Sequence, residues 1–195
     1  VKVSQIKTFG WPLAIILNNR EDDVRPRPYG DGVRAEVSLP EGERASGGSS
    51  YDYWAIGSDG NFYVAQSYFE DRRTRDVIFF NTQIVKVTEA LLLTSNLYER
   101  LGLPPKAKLN FRLSHYGLAG RKLEGTGNRP LFDERTTKES HHTKELVLEL
   151  GGIRKELVKH VHSITASLFT LFDFAEFNDV IYEDIVTRYV AGEST

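Results

Sequence analysis

The pattern of hydrophobic and polar residues predicts strands in the first half of the chain. Residues 33–39 alternate between apolar and polar, which is the two-residue period of a half-buried strand. The uninterrupted apolar run 13–17 has the length of a short buried strand. Two aromatic-rich runs, 51–56 and 61–65, flank the Gly-Ser-Asp-Gly sequence of residues 57–60, which favours a tight turn. These two runs therefore predict a β-hairpin.

Apolar residues at helical spacing predict one helix near the middle of the chain and two at its end. A stripe over residues 84–101 indicates the central helix, which Asn81 or Thr82 can cap. A second stripe begins at Ile153, and Asn178 can cap the last helix. The junction between the last two helices carries an aromatic cluster of Phe169, Phe172, Phe174, Phe177 and Tyr182. We expect this cluster to be core, whereas an exposed cluster would mark a partner surface.

Further strands are predicted at residues 77–80, 109–115 and 146–150, the last of them ended by two glycines. Strands thus dominate the first half and helices the end. This order predicts an α+β protein with a mainly antiparallel sheet, one central helix and two C-terminal helices. Because 195 residues suit one domain, we expect a single α+β domain over residues 1–195.

Composition narrows the classes of function. The chain has no Cys, which excludes a disulfide framework, a thiolate metal site and a cysteine nucleophile. It has no Met, even at its first position, so we expect it to be excised from the C-terminal part of a longer protein. No run approaches the roughly 18 apolar residues of a membrane helix, and no signal peptide is recognisable. We therefore expect a cytoplasmic protein with no membrane partner.

Arginine-rich loops are the candidate binding sites. The net charge of −2 and the pI near 6.3 provide no global attraction to nucleic acid, so binding would need a local patch. Arginines lie in three loops, at residues 25–31, 70–76 and 115–129. Two prolines make the first an extended loop, and glycine turns in the third can hold phosphate through backbone N–H groups. The candidate ligand-binding residues are Arg25, Arg27, Asp31, Arg73, His115, Gly117, Gly120 and Arg121.

Aromatic residues decide between two interpretations of these loops. If Tyr51, Tyr53 or Trp54 is exposed beside the arginines, a nucleotide or single-strand surface results. The alternative is that the aromatic residues are core and the arginines form surface ion pairs.

Residues capable of catalysis or metal binding form no recognisable motif. His160 and His162 lie two positions apart on a predicted helix, so their side chains point in different directions. His141 and His142 fall in a polar loop without an acidic residue at ligand spacing. The sequence contains neither a Gly-x-Ser-x-Gly elbow nor a phosphate-binding P-loop. We therefore expect no metal and no cofactor, and the sequence favours a non-catalytic role.

Several segments are similar to one bacterial family. They include Phe9-Gly10-Trp11-Pro12, Arg25-Pro26-Arg27-Pro28, Tyr51-Asp52-Tyr53-Trp54, Phe79-Phe80-Asn81-Thr82, His115-Tyr116-Gly117-Leu118-Ala119-Gly120-Arg121 and Phe172-Asp173-Phe174-Ala175-Glu176-Phe177. Through them the chain resembles the C-terminal region of bacterial Schlafen/AlbA-type DNA-binding proteins that are labelled as transcriptional regulators. The resemblance implies the downstream domain of a longer regulator, whose DNA-binding part is not in this chain. It assigns no catalytic residue.

Three functions are open at this point. The leading expectation is a non-catalytic sensing or interaction domain of a bacterial transcriptional regulator, with its own missing N-terminal domain or a second copy of the chain as partner. The alternative is a nucleic-acid or nucleotide-phosphate binding domain that uses the Arg-rich loops. The third is an enzyme with an acid–base site at His115 and Asp31, which requires both side chains in one pocket.

Overall fold

The structure of the chain is a computed structural model that describes residues 26–39, 50–68, 70–72, 74, 76–126, 129–131, 133–174 and 177–193. The chain divides into two compact units, an N-terminal unit Lys2–Arg75 and a C-terminal unit Asp76–Thr195. The single domain expected over residues 1–195 stays a prediction. The strand predicted at residues 13–17 lies outside the described residues.

The N-terminal unit contains a four-stranded antiparallel sheet in the order β1-β2-β3-β4. Its strands are β1 (Arg27–Tyr29), β2 (Gly32–Leu39), β3 (Ser50–Ile56) and β4 (Phe62–Gln66), and a 3-10 turn follows at Glu70–Arg72. The predicted hairpin is confirmed as β3 and β4. Its turn is closed by a 3.1 Å hydrogen bond from the Gly60 amide to the Gly57 carbonyl, and Gly60 takes the positive φ of +82° that glycine favours.

The prediction of an extended loop around the two prolines is wrong. Residues Arg27–Tyr29 form strand β1, which pairs antiparallel with β2. Pro28 has no backbone N–H, and a strand at the end of the sheet order tolerates this loss because one of its sides needs no ladder partner.

Helices and two small sheets make up the described part of the C-terminal unit. The helices are α1 (Phe80–Arg100), α2 (Leu150–Ile153), α3 (Leu157–Phe169) and α4 (Asp179–Ala191). Strand β5 (Val77–Phe79) pairs parallel with β7 (Lys122–Glu124), and β6 (Lys108–Tyr116) pairs antiparallel with β8 (His141–Glu149). The α+β class is confirmed, with one central helix and two long C-terminal helices. The described strands form three separate sheets, of which the largest is antiparallel.

The core of the C-terminal unit lies where α1 contacts α3 and α4. One face of each helix is apolar, and its burial stabilises the arrangement because apolar surface leaves water. Of the predicted aromatic cluster, Phe169, Phe172, Phe177 and Tyr182 are buried in this core, as predicted, whereas Phe174 is half-buried. Phe80 stacks on Phe177 with ring centroids 4.1 Å apart. The fully buried residues of this core include Ile84, Leu91, Ile153, Val161, Leu168, Phe172, Tyr182 and Ile185.

The predicted helix caps have different outcomes. Asn178 caps α4 as predicted, because its Oδ1 accepts a 3.0 Å hydrogen bond from the Val180 amide. The prediction for α1 is wrong: the helix begins at Phe80 without a side-chain cap. Asn81 instead donates from Nδ2 to Thr126 Oγ1 at 2.6 Å and accepts from the Thr126 amide at 3.1 Å. The side chain thus joins α1 to the segment after β7.

Strand β8 is longer than predicted and begins at His141, so His141 and His142 lie in a strand and not in a loop. It ends at Glu149, and the two glycines that were expected to end it belong to α2. The next helix accordingly begins at Leu157, and not at Ile153. Among the described residues, no helix has the length and apolarity that a membrane crossing requires.

Candidate functional site

Four tyrosines share one face of the sheet in the N-terminal unit. The pairing places Arg27 opposite Arg34, Arg34 opposite Ala55, and Ala55 opposite Tyr63. Residues that face each other across strands lie on one side of a sheet, and so do residues two apart along a strand. This side is called the tyrosine face below, and its members are Arg27, Tyr29, Arg34, Glu36, Tyr51, Tyr53 and Tyr63.

The tyrosine face is the solvent side of the sheet. The opposite side carries Ala35, Val37 and Trp54, all of them buried, with Trp54 only 5% exposed. On the tyrosine face, Tyr29 and Tyr51 are exposed and the Tyr63 side chain is 61% exposed. On an ordinary protein surface, exposed apolar residues are scattered singly. Several large aromatic side chains grouped on one exposed face therefore indicate a contact surface.

The rings on this face are arranged to stack. Tyr51 and Tyr53 have centroids 6.4 Å apart and planes only 8° from parallel. Tyr63 meets Tyr53 edge to face at 5.8 Å. The Arg34 guanidinium lies over the Tyr29 ring, with Cζ 4.6 Å from the centroid, which is a cation–π contact. The π faces, hydroxyl groups and two arginines can bind a planar or anionic ligand.

Glu36 contributes the carboxylate of this face. Partial burial, followed by the charge of Glu36, raises the pKa of Tyr51 above its ordinary value of 10, and Glu36 also hydrogen-bonds the Tyr51 side chain. The Tyr51 hydroxyl therefore stays protonated at neutral pH and donates to the carboxylate.

The predicted site residues of the first two loops have three outcomes. Arg25 and Arg73 lie outside the described residues. Arg27 is exposed on the tyrosine face. Asp31 lies in the turn between β1 and β2, where it accepts a hydrogen bond from Ser58 Oγ and so joins this turn to the hairpin turn. Asp31 thereby has a structural role in the N-terminal unit.

The other predicted residues belong to the C-terminal unit. Gly117 and Gly120 take positive φ values of +69° and +81°, which shape the turn between β6 and β7. Arg121 donates from Nε to the Gly117 carbonyl at 2.7 Å and from Nη1 to the Val77 carbonyl at 3.2 Å. The guanidinium therefore holds this turn against β5, which is a structural role that the sequence did not indicate.

His115 and His142 face each other across β6 and β8 on the inner side of this two-stranded sheet. Their ring centroids are 5.9 Å apart. Burial and the neighbouring His142 lower the pKa of His115 to about 4, and burial, Lys144 and His141 lower the pKa of His142. Both imidazoles are therefore neutral at pH 7.

The tautomer of His142 follows from its partner. Ser167 Oγ donates to the Ile164 carbonyl at 2.9 Å, so its oxygen accepts from His142 Nε2 at 3.1 Å. His142 therefore carries its proton on Nε2. Across the described part of the chain, no group of three or more His, Asp or Glu side chains could hold a metal ion.

The sequence indicates only part of the tyrosine face. Tyr51, Tyr53 and Trp54 are the aromatic candidates for exposure, and in the structure Tyr51 is exposed, Tyr53 is half-buried and Trp54 is buried. Tyr29 and Tyr63 were missed. Alternation within a strand shows which of its residues point to the same face. Only the pairing between strands shows which residues of different strands lie on the same face of the sheet.

The chain matches no known protein in three comparisons. No protein-family model matches the chain, and no match is found among curated proteins or solved structures. The resemblance to Schlafen/AlbA-type regulators therefore stays a prediction.

Proposed function

We propose that this chain is a non-catalytic sensing and interaction domain, and that the tyrosine face is its binding surface. The observation that supports the proposal is the exposure of several tyrosines on one side of a sheet whose other side buries Ala35, Val37 and Trp54. Tyrosine is enriched at protein interfaces because it offers a large contact area and a polar hydroxyl at a low cost in conformational entropy. A rigid antiparallel sheet holds these rings in fixed positions before a partner arrives, which reduces the entropy cost of binding.

The family resemblance suggests how such a surface would be used. In a longer bacterial transcriptional regulator, a partner bound at the tyrosine face would modulate the attached DNA-binding part. The partner would be that N-terminal part, a second copy of the chain, or a separate ligand.

Nucleic-acid or nucleotide-phosphate binding is the second candidate function. The specific observation in its favour is that Arg27 and Arg34 lie on the tyrosine face, next to rings that can stack on bases. Arg121 does not support it in the same way, because its guanidinium is bonded to two backbone carbonyls.

A three-probe binding experiment tests the proposed interaction domain. The probes are a labelled oligothymidylate, a labelled proline-rich peptide, and the chain itself at increasing concentration. We expect Tyr63→Ala to weaken binding of at least one probe. Tyr116→Ala is the matched control, because Tyr116 is a strand residue of the C-terminal unit with a similar exposure of 68%. The proposal fails if the Tyr63 substitution changes none of the three measurements.

A further inference from the structure

We infer that the tyrosine face binds single-stranded nucleic acid, with bases stacked on its tyrosines and phosphates held by Arg27 and Arg34. The inference rests on the proposed function, since it names the ligand of the same surface. It depends on three observations: the spacing of the rings, the charge of the face, and the exposure of its most accessible ring.

The ring spacing matches stacked bases. Tyr51 and Tyr53 lie two residues apart on β3, with centroids 6.4 Å apart and planes 8° from parallel. Successive bases in a nucleic-acid strand repeat at about 3.4 Å, so two repeats span about 6.8 Å. Two nearly parallel tyrosines with this centroid separation are spaced along β3 like alternate bases in a stacked strand, because two residues of a strand also span about 6.4–6.8 Å.

The charge of the face differs in sign from that of the whole chain. Among its described residues, the face carries two arginines, Arg27 and Arg34, and one glutamate, Glu36, so their formal net charge is +1, against −2 for the chain. Glu36 also accepts a hydrogen bond from the Tyr51 side chain. The positive charge therefore lies beside the rings. When the bases of a nucleic-acid strand stack on these rings, the two arginines can contact the phosphates of the same strand.

Tyr63 provides the accessible platform for a further base. Its ring is 61% exposed on β4 and meets Tyr53 edge to face. A base that stacks on Tyr63 needs a free π face, which single strands offer and paired duplexes do not. The surface should therefore prefer a single strand to a duplex and should discriminate little between bases.

Equilibrium binding of a fluorescein-labelled oligothymidylate of about twelve nucleotides to the whole chain tests the inference. Fluorescence anisotropy at low salt should detect binding, and an unlabelled duplex of the same length should compete poorly. Tyr63→Ala should weaken the affinity about five-fold or more, which is the effect of losing one stacked base. Tyr63→Phe keeps the ring and should retain the affinity, and so should the control Tyr116→Ala.

Salt dependence tests the arginine contacts separately. Two phosphate contacts on a single strand predict a slope of about −1.4 for the logarithm of the association constant against the logarithm of salt concentration. Replacing Arg27 by Gln should reduce the steepness of this slope by about half. Arg112→Gln is the control, because Arg112 is an exposed strand residue of the other unit.

The possible results separate this inference from the function on which it rests. Binding of oligothymidylate that Tyr63→Ala leaves unchanged overturns the inference, because stacking then occurs elsewhere. No oligothymidylate binding, together with peptide binding or self-association that depends on Tyr63, overturns the inference and leaves the interaction domain standing. No Tyr63-dependent binding of any probe overturns both.

Discussion

Lowering the pH from 7 to 5 is expected to destabilise the C-terminal unit, because His115 is buried as a neutral imidazole. Its side chain is 8% exposed, and burial, together with His142, lowers its pKa from the ordinary 6.5 to about 4. The unfolded chain binds the proton with the ordinary pKa, so unfolding takes up a proton at intermediate pH. The stabilisation is therefore present above pH 6.5 and is lost as the pH falls toward about 4.

The difference between the two pKa values determines the size of this effect. At about 1.4 kcal/mol per pH unit, the complete loss in free energy of unfolding is about 3 kcal/mol. About 2 kcal/mol is lost by pH 5, where the unfolded imidazole is almost fully protonated and the folded one is not. Burial also lowers the pKa of His142, which adds to the effect in the same direction. The free energy of unfolding of a typical domain is about 5–15 kcal/mol, so such a loss is a large part of it.

Urea unfolding at pH 7, 6 and 5 measures the effect. The helical circular dichroism signal is a suitable probe, because the described α-helices all belong to the unit that contains His115. The variant His115→Leu lacks the titrating group, so its loss of stability between pH 7 and pH 5 should be smaller by about 2 kcal/mol. His141→Gln is the matched control, because this neighbouring strand residue is exposed. It should retain most of the wild-type loss, because His141 is the smallest of the three causes that lower the pKa of His142.

Two results would refute this reasoning. The first is a His115→Leu variant that loses as much stability on acidification as the wild-type chain. The second is a wild-type free energy of unfolding that stays constant between pH 7 and pH 5.

Three further predictions concern stability and are checked by urea unfolding at pH 7. Asn178→Ala should lower the free energy of unfolding by about 1 kcal/mol, because the cap of α4 is lost, whereas Asn178→Asp should retain it; equal losses would contradict the role of the cap. Gly125→Ala should cost about 1–3 kcal/mol, because its Cβ would overlap the Arg129 carbonyl oxygen. Gly152→Ala, whose Cβ meets nothing closer than 3.9 Å, should cost little, so similar effects of the two substitutions would argue against this close approach. Arg121→Ala should cost about 2 kcal/mol through the loss of its bonds to the Gly117 and Val77 carbonyls, and no loss would exclude the structural role.

Local patterns in the sequence determined those elements whose signals are also local. The hairpin of β3 and β4 follows from alternation on either side of a Gly-Ser-Asp-Gly turn, and that turn needs only residues within it. The end of α1 and the beginning of α4 are likewise local. Gly102 takes a φ of +84° after α1, and Asn178 bonds an amide two residues away.

The features that the sequence did not predict correctly depend on contacts between residues that are far apart in the chain. Asn81 is a reasonable cap by residue type, yet its side chain bonds Thr126, 45 positions away. Strand β5 likewise finds its parallel partner in β7, which lies beyond α1 and β6. Such pairings depend on which surfaces meet during folding, and a local pattern carries no information about them.

The tyrosine face combines both kinds of information. Alternation along β3 places Tyr51 and Tyr53 on one side, and this follows from the sequence. Whether Tyr29 and Tyr63 join them depends on the register of β1 with β2 and of β4 with β3. A shift of one residue in either pairing would move these rings to the buried side, because successive side chains of a strand point to opposite faces. Only the tertiary structure therefore determines that the four rings form one surface.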